Sequence, residues 1–327
     1  MMKSVYLYPP ASKGGCNPYC RNYKDSLKNY FIVRDLNNKV SKIKTLPLLR
    51  YSFNTDVFIF NWIESVGNLK FGFVQFLLTL VSLFIIKCRR KKIIWMFHNI
   101  HPHEGETICS KIMKRVMFSI SDNIISHSKE AALYAQKFAN CKVDYVCHPI
   151  PQTIIGKWNG PLIDCDIFIW GWITPYKGIP EFLSSCKEKL RDKKILILGK
   201  SKDEKLADNI RNYANCNVVF MDRQASFEEI AAYVRKAKYT VFPYIGNSIS
   251  SSGVLLDTLV MGGNPVGPNR AAFKDMSDEG LCLIYNSYDE LIDILHSNDS
   301  IEESKRNYFF QKNTWNNIVK LINQRIR

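Results

Sequence analysis

The chain has 327 residues, room for two domains at roughly 100–200 residues each. Apolar residues make up 46% and charged residues 23%, which excludes collagen-like, disordered and coiled-coil classes. The net charge of +15 is uneven: residues 1–155 hold 22 basic and 9 acidic side chains, residues 156–327 hold 23 and 21. That asymmetry points to an anionic partner for the first half: nucleic acid, anionic lipid or a phosphorylated substrate.

In chain order, MMKSVYLYPP holds one Lys, a short apolar run and two prolines, and reads as a first strand at 5–8 rather than a signal peptide. A loop with Gly14 and Gly15 follows. Further β-like runs lie at 31–33, 57–60, 93–97, 123–126 and 143–146, with helical spacing at 107–120 and 128–139 between the last three. Strands alternating with helices predict a parallel sheet. Pro149, Pro151, Gly156, Gly160 and Pro161 then mark a linker. Beyond it, strands near 167–170, 194–199, 218–220 and 239–242 alternate with helical segments at 178–191, 202–213, 226–237 and 252–261. The expected fold class is α/β: two Rossmann-like doubly wound domains with an interdomain cleft. The expected division is 1–155, 156–302, and a helical tail at 303–327 that packs back on the first domain. Ten scattered cysteines without a C-x-x-C pair argue against a secreted disulfide framework and for a reducing compartment, the cytosol.

Residues 71–86 are apolar and uncharged, with Lys87, Arg89, Arg90, Lys91 and Lys92 directly behind them. At sixteen residues the run is short of the ~20 needed to cross a bilayer. It reads either as a helix buried between parallel strands or as an in-plane anchor, its cations on anionic head groups.

Several segments carry candidate chemistry. His98, His101, His103 and Glu104 follow a strand, but their spacing matches no zinc signature and Pro102 breaks any helix that would align them. A substrate-contacting loop is the better reading, because active-site residues gather at strand carboxyl ends. Glu64 stands behind the strand at 57–60, where it reads as a base or hydroxyl acceptor, or else as a solvated loop carboxylate. Lys177 and Gly178 lie at a strand-to-helix turn after Gly171, where free helix N–H groups and a cation suit a phosphate. Ser248, Ser250, Ser251, Ser252 and Gly253 lead into a second helix in the same way. Two such turns in one half suggest a diphosphate held between two helix N-termini.

At these residues the chain resembles glycosyltransferases of the GT-B fold, family 4 in particular, the retaining nucleotide-sugar enzymes of bacterial polysaccharide and lipid-linked oligosaccharide synthesis. The likeness is patchy in the first half and clearer over 161–276. Gly14-Gly15 looks like the family's glycine-rich loop near the donor phosphates. WMFHNIHPHE resembles the strand segment whose His, here His98, lies by the donor sugar. IWGWITPYKGI resembles the G-x-x-x-P-x-K-G turn whose Lys, here Lys177, contacts the diphosphate. VFPY followed by SSSGVLLDTLVMGGNPV resembles the phosphate-binding loop and its helix. Carried over residue by residue, the resemblance implies donor contacts at Gly14, Gly15, Thr174, Lys177, Tyr244, Ser251, Ser252, Gly253, Val254 and Asp257, with His98 as a catalytic position by the donor sugar. Glu64, read from its place behind the strand and not from the family, is the first base candidate if the reaction inverts.

The pattern also departs from the family. Trp172 and Thr174 stand where an Arg usually precedes the Lys. The family's paired glutamates are replaced by Ser250 and by Thr258 or Asp257. The implied activity is hexosyl transfer from a nucleotide diphosphate sugar to a membrane-associated saccharide. It needs no metal or other cofactor and takes place at the inner face of the plasma membrane, with no nucleic-acid partner. The alternative is a non-catalytic GT-B-like scaffold of a glycan assembly complex.

Overall fold

The computed structural model describes residues 2–9, 18–34, 43–100, 106–150, 155–245 and 252–326. Its first half runs β1 (Ser4–Tyr8), α1 (Pro18–Leu27), β2 (Ile32–Arg34), α2 (Leu46–Tyr51) and β3 (Val57–Asn61). A 3-10 turn at Ile63–Asn68 leads to α3 (Gly72–Cys88), β4 (Lys92–Phe97), α4 (Ile108–Ile120), β5 (Asn123–Ser126), α5 (Lys129–Gln136) and β6 (Lys142–Tyr145). The strands pair in parallel in the order β2-β1-β3-β4-β5-β6. Their apolar runs do not alternate with polar residues because both faces are covered. On one face Tyr6, Phe58, Phe60, Trp95 and Phe97 pack on Phe76, Leu83 and Ile86 of α3 and on Met113, Met117 and Phe118 of α4. On the other face Val5, Leu7, Ile59, Ile94 and Met96 pack on Tyr19, Tyr23 and Leu27 of α1.

The second half repeats the plan with β7 (Ile167–Trp170), α6 (Ile179–Cys186), β8 (Ile195–Leu198), α7 (Glu204–Arg211), β9 (Val218–Met221), α8 (Phe227–Lys236), β10 (Tyr239–Val241), α9 (Gly253–Val260), β11 (Pro265–Pro268), α10 (Ala271–Asp278), β12 (Leu283–Tyr285) and α11 (Tyr288–His296). All neighbours are parallel, in the order β12-β11-β10-β7-β8-β9. Ile167, Ile169, Ile195 and Ile197 face Phe182, Ile210 and Leu291 on one side. Phe168, Trp170, Leu196 and Leu198 face Ile230, Tyr233 and Val234 on the other. The serines that read as a phosphate loop also have a local task. Ser252 caps α9, as Ser226 caps α8 and Ser287 caps α11, each accepting from an N–H of the first turn.

The chain divides into two compact units, Met1–Pro151 with Lys312–Arg327, and Gln152–Gln311. The tail at 303–327 is two helices, α12 (Glu303–Lys312) and α13 (Trp315–Arg325), broken where Thr314 caps the second. Most of α12 stays with the second unit, where the Arg306 guanidinium donates to Gly263 O at 3.0 Å. α13 packs on α1 in the first unit, burying Trp315, Ile318, Val319 and Ile322 in that core. The Ile150 N–H donates to Asn313 O at 2.9 Å, and Arg325 donates from Nε and Nη2 to the two Asp144 carboxylate oxygens at 2.7 Å each. The second division therefore falls nine residues later than the expected 302. The hydrogen bond from Arg306 ties the start of the tail to the sheet it leaves.

Candidate active site

In the second unit β7 ends at Trp170 and the chain turns through Gly171, at φ 96°, towards a 3-10 turn at Pro175–Lys177. Gly178 follows at φ 62°, and a Cβ there would lie 2.2 Å from Pro243 O. Only glycine fits that position, so the turn is held tightly against the end of β10. This places Lys177 inward, 2% exposed, with Nζ donating to Trp170 O at 3.0 Å and lying 5.8 Å from the centre of the Tyr244 ring. Burial draws its pKa down to about 7, and no carboxylate opposes that shift. A Cβ on Gly171 would stand 2.9 Å from the same Nζ and 3.7 Å from Val254, so the glycine opens the space the ammonium occupies. Thr174 Oγ1 is buried without a hydrogen-bond partner among the described residues.

The second turn converges on the same place. Tyr244 follows β10, and the Ser252 hydroxyl at the start of α9 accepts from the Leu255 N–H at 3.2 Å. Gly253 is exposed, and a Cβ there would meet nothing within 4 Å among the described residues. Lys177, Tyr244, Ser252, Val254 and Gly171 are thus brought together at the carboxyl edge of the sheet, with the N-termini of α6 and α9. Tyr244 also forms a wall of a pocket of about 390 Å³ at the ends of β10, β11 and β12, with Arg270, Tyr285, Asn286 and Tyr288. Gly14, Gly15, Ser250 and Ser251 lie outside the described residues, as do His101 and His103.

Of the two replaced glutamate positions, the first, Ser250, lies outside the described residues, and the two candidates for the second differ. Thr258 is fully buried, donating to Val254 O at 2.8 Å and accepting from the Trp170 indole N–H at 3.0 Å. Its hydroxyl is committed to packing. Asp257 is pushed up to about 7 by burial alone. At the position of the missing Arg, Trp172 is 49% exposed, and the Lys202 ammonium sits 4.8 Å above its ring.

In the first unit the carboxyl edge is lined by rings. Asn61 at the end of β3 donates from Nδ2 to Tyr8 O at 3.0 Å, which turns its Oδ1 towards His98 Nε2 at 3.1 Å. His98 must donate there, so its proton is on Nε2 and Nδ1 keeps a lone pair, as the network assigns it. Trp62 stacks on His98 with ring centres 4.4 Å apart, and Tyr19 meets it edge-on at 5.1 Å. His127 donates from Nδ1 to Val146 O at 2.8 Å and accepts from the Tyr19 hydroxyl at 2.8 Å. Burial, reinforced by neighbouring histidines, holds His98 well below the usual range and His127 at about 3. Burial takes His148 to about 4. Three neutral histidines therefore sit at the ends of three successive strands. Among the described residues no group of His, Cys, Asp or Glu is placed to hold a metal ion.

Glu64 is placed differently from a solvated loop carboxylate. It is 2% exposed in the 3-10 turn, and burial raises its pKa to about 7, with Lys114 and Trp95 partly offsetting this. The turn that begins at Trp62, with φ 50°, tucks its side chain into the core between the sheet and α4. Asn61, Tyr19 and His127 were not singled out by the sequence. The only sign of His127 was its place after an apolar strand, and α1 gave no sign that Tyr19 would reach that strand.

No protein-family model matches the chain, and no curated protein matches it in sequence. Its fold does match solved structures. HepE (Alr3699) of Anabaena, crystallised with UDP, superposes with a TM-score of 0.66 at 11% identity, over 99% of both chains. The E. coli trehalose-6-phosphate enzyme, bound with UDP-2-fluoro glucose, gives 0.67 at 11% identity over 99% of this chain and 98% of that one. A glycosyltransferase of Rickettsia africae gives 0.63 at 12% identity, over 99% and 98%. The chain has the GT-B fold of these enzymes: two Rossmann-like units, each a parallel six-stranded sheet between helices.

Proposed function

We propose that the protein is a glycosyltransferase that moves a hexose-type sugar from a nucleotide diphosphate sugar to a saccharide acceptor. Lys177 carries this reading: a buried cation with a carbonyl oxygen but, among the described residues, no carboxylate beside it, drawn down to about 7, at the entrance to two helices. A diphosphate would supply the missing counter-charge. The N–H groups at the starts of α6 and α9 would stabilise it further as the sugar leaves. Ser252, Gly253, Val254, Tyr244 and Thr174 would surround the donor. Asp257, neutral or charged near pH 7, would meet its hydroxyls. Among the structural neighbours HepE is seen with UDP and with UDP-glucose, which favours a uridine nucleotide here.

The transfer follows from these charges. The bond from the anomeric carbon to the leaving phosphate oxygen breaks, and a bond to the acceptor oxygen forms on the same face. The acceptor proton passes to the leaving phosphate. Retention by this route needs neither an enzymic carboxylate nor a metal ion, and it leaves buried Glu64 without a part as base. His98, neutral with a lone pair on Nδ1, would accept from a sugar hydroxyl. The acceptor is proposed to be membrane-associated, with the enzyme peripheral at the inner face of the plasma membrane during polysaccharide synthesis.

Thermal shift and calorimetry with UDP, GDP, ADP and CMP, with and without divalent cation, test the proposal. Wild type should respond to one nucleotide without metal. Lys177→Ala should weaken that binding about 10- to 100-fold, the worth of charge-assisted hydrogen bonds. Equal UDP affinity in Lys177→Ala would remove Lys177 from the site, and no response to any nucleotide would favour the non-catalytic scaffold.

A further inference from the structure

α3 is built inside out. Its wall towards the sheet includes Gln75, Thr79 and Ser82 beside Phe76, Leu83 and Ile86. The three polar side chains turn their donors back on the local backbone: Gln75 to Lys70 O at 2.7 Å, Thr79 to Gln75 O at 2.8 Å, Ser82 to Leu78 O at 2.7 Å. The opposite wall carries Phe73, Val74, Leu77, Val81 and Phe84, between 45% and 70% exposed. At about 100° per residue, four of these, Phe73, Leu77, Val81 and Phe84, fall within an arc of roughly 80°. An ordinary surface helix has the reverse distribution. α4 lies beside α3 on the same face of the sheet and adds Ile108 and Ile112, 78% and 41% exposed.

A set of cations of one sign frames this apolar wall. Lys70 precedes α3, Arg89 and Arg90 follow it, and Lys111 and Arg115 stand on the outer side of α4, all exposed. None of the five has an ion pair among the described residues, unlike Lys87, Lys91, Lys92 and Lys114. No Asp or Glu occurs between Glu64 and Glu104.

We propose that this face docks in plane on an anionic lipid surface. The walls of α3 and the first turn of α4 would lie at the acyl boundary, and the five cations would meet headgroup phosphates. Charge complementarity selects that occupant. A second copy paired about a two-fold axis would set the same cations against one another. A crossing helix is excluded by length and by packing. Seventeen residues rise about 25 Å, short of the ~30 Å hydrocarbon core, and the inner wall of α3 is committed to the sheet. The inference rests on the transferase reading for its purpose, since it names what would hold the enzyme beside a lipid-borne acceptor.

The full chain should sediment with vesicles of phosphatidylcholine and phosphatidylglycerol, not with phosphatidylcholine alone, and added salt should weaken the binding. Phe73→Ser with Phe84→Ser should reduce that partition about tenfold or more, as should the triple change Arg89→Gln, Lys111→Gln and Arg115→Gln. Both variants should keep the UDP thermal shift. Failure of wild type to sediment with either vesicle would overturn the docking, as would wild-type partition by both variants. So would a solution dimer that Phe84→Ser dissolves in a chain that ignores vesicles. UDP binding without vesicle binding ends this inference alone, and vesicle binding without UDP binding ends the transferase reading alone.

Discussion

Lys177 shows how burial sets chemistry at a single residue. An ammonium with a pKa near 7 in the free protein is partly neutral at neutral pH. An arriving diphosphate would raise that value, so the complex would hold more protons than the free protein above pH 7. Nucleotide affinity should therefore be level below about pH 7 and fall above it, approaching tenfold per pH unit. Calorimetry in two buffers of different ionisation heat should show proton uptake at pH 8. The free protein behaves in the opposite sense. Its folded pKa lies below the ordinary lysine value of 10.5, so the unfolded chain binds the extra proton between about pH 7 and 10. The Lys177 contribution to stability should rise with pH across that window, and Lys177→Met should flatten the rise in denaturant titrations. A pH-independent UDP affinity would mean that Lys177 stays charged without the nucleotide. Lys177 was legible in sequence because Gly171, Pro175 and Gly178 mark a strand-to-helix turn around it. Its burial was not, since that depends on Tyr244 and Val254, more than sixty residues away.

At the scale of elements, α3 was the segment whose sequence left two readings open. Its sixteen uncharged residues at 71–86 fit a buried helix and a surface anchor equally, because composition does not say which wall faces the sheet. The structure divides the helix between an inner and an outer wall, and substitution can weigh the two separately. Leu83 is 1% exposed against the sheet, and Leu83→Ala should cost about 2–5 kcal/mol in chemical denaturation. Leu77 is 45% exposed, and Leu77→Ala should change stability by no more than about 0.5 kcal/mol. Equal costs would mean that the outer wall is covered. The serine-rich approach to α9 has a similar double meaning. Capping accounts for Ser252 by itself. What separates this turn from an ordinary cap is the buried ammonium facing the same edge.

For the whole molecule, the tail decides the extent of the first unit. Trp315, Ile318, Val319 and Ile322 are at most 2% exposed and pack against Val5, Leu7 and Tyr23, three hundred residues back in the chain. Each such side chain contributes about 1.5–3 kcal/mol by burial, and together they rival the net stability of a domain. A chain ending at residue 311 should lose hydrogen-exchange protection in β1, β3 and β4 while β7 and β8 keep theirs. UDP binding should persist, since the residues assigned to it lie in the second unit. Simultaneous loss of protection in both sheets would show that the two units do not unfold separately.

Local pattern was enough to predict two α/β halves, because apolar strand runs, helical periodicity and Gly/Pro punctuation act over ten residues or fewer. It also drew attention to Lys177 and His98, which stand at strand ends where the chain itself marks a turn. Tertiary structure alone decided what surrounds them. Asn61 and Tyr8 fix the proton of His98 from neighbouring strands, and Tyr19 reaches His127 from α1. The sequence could not separate a solvated Glu64 from an enclosed one, because its environment is made by Trp95 and Lys114 across the fold. Periodicity tells how residues repeat along one element, whereas burial and protonation depend on which other elements close over them.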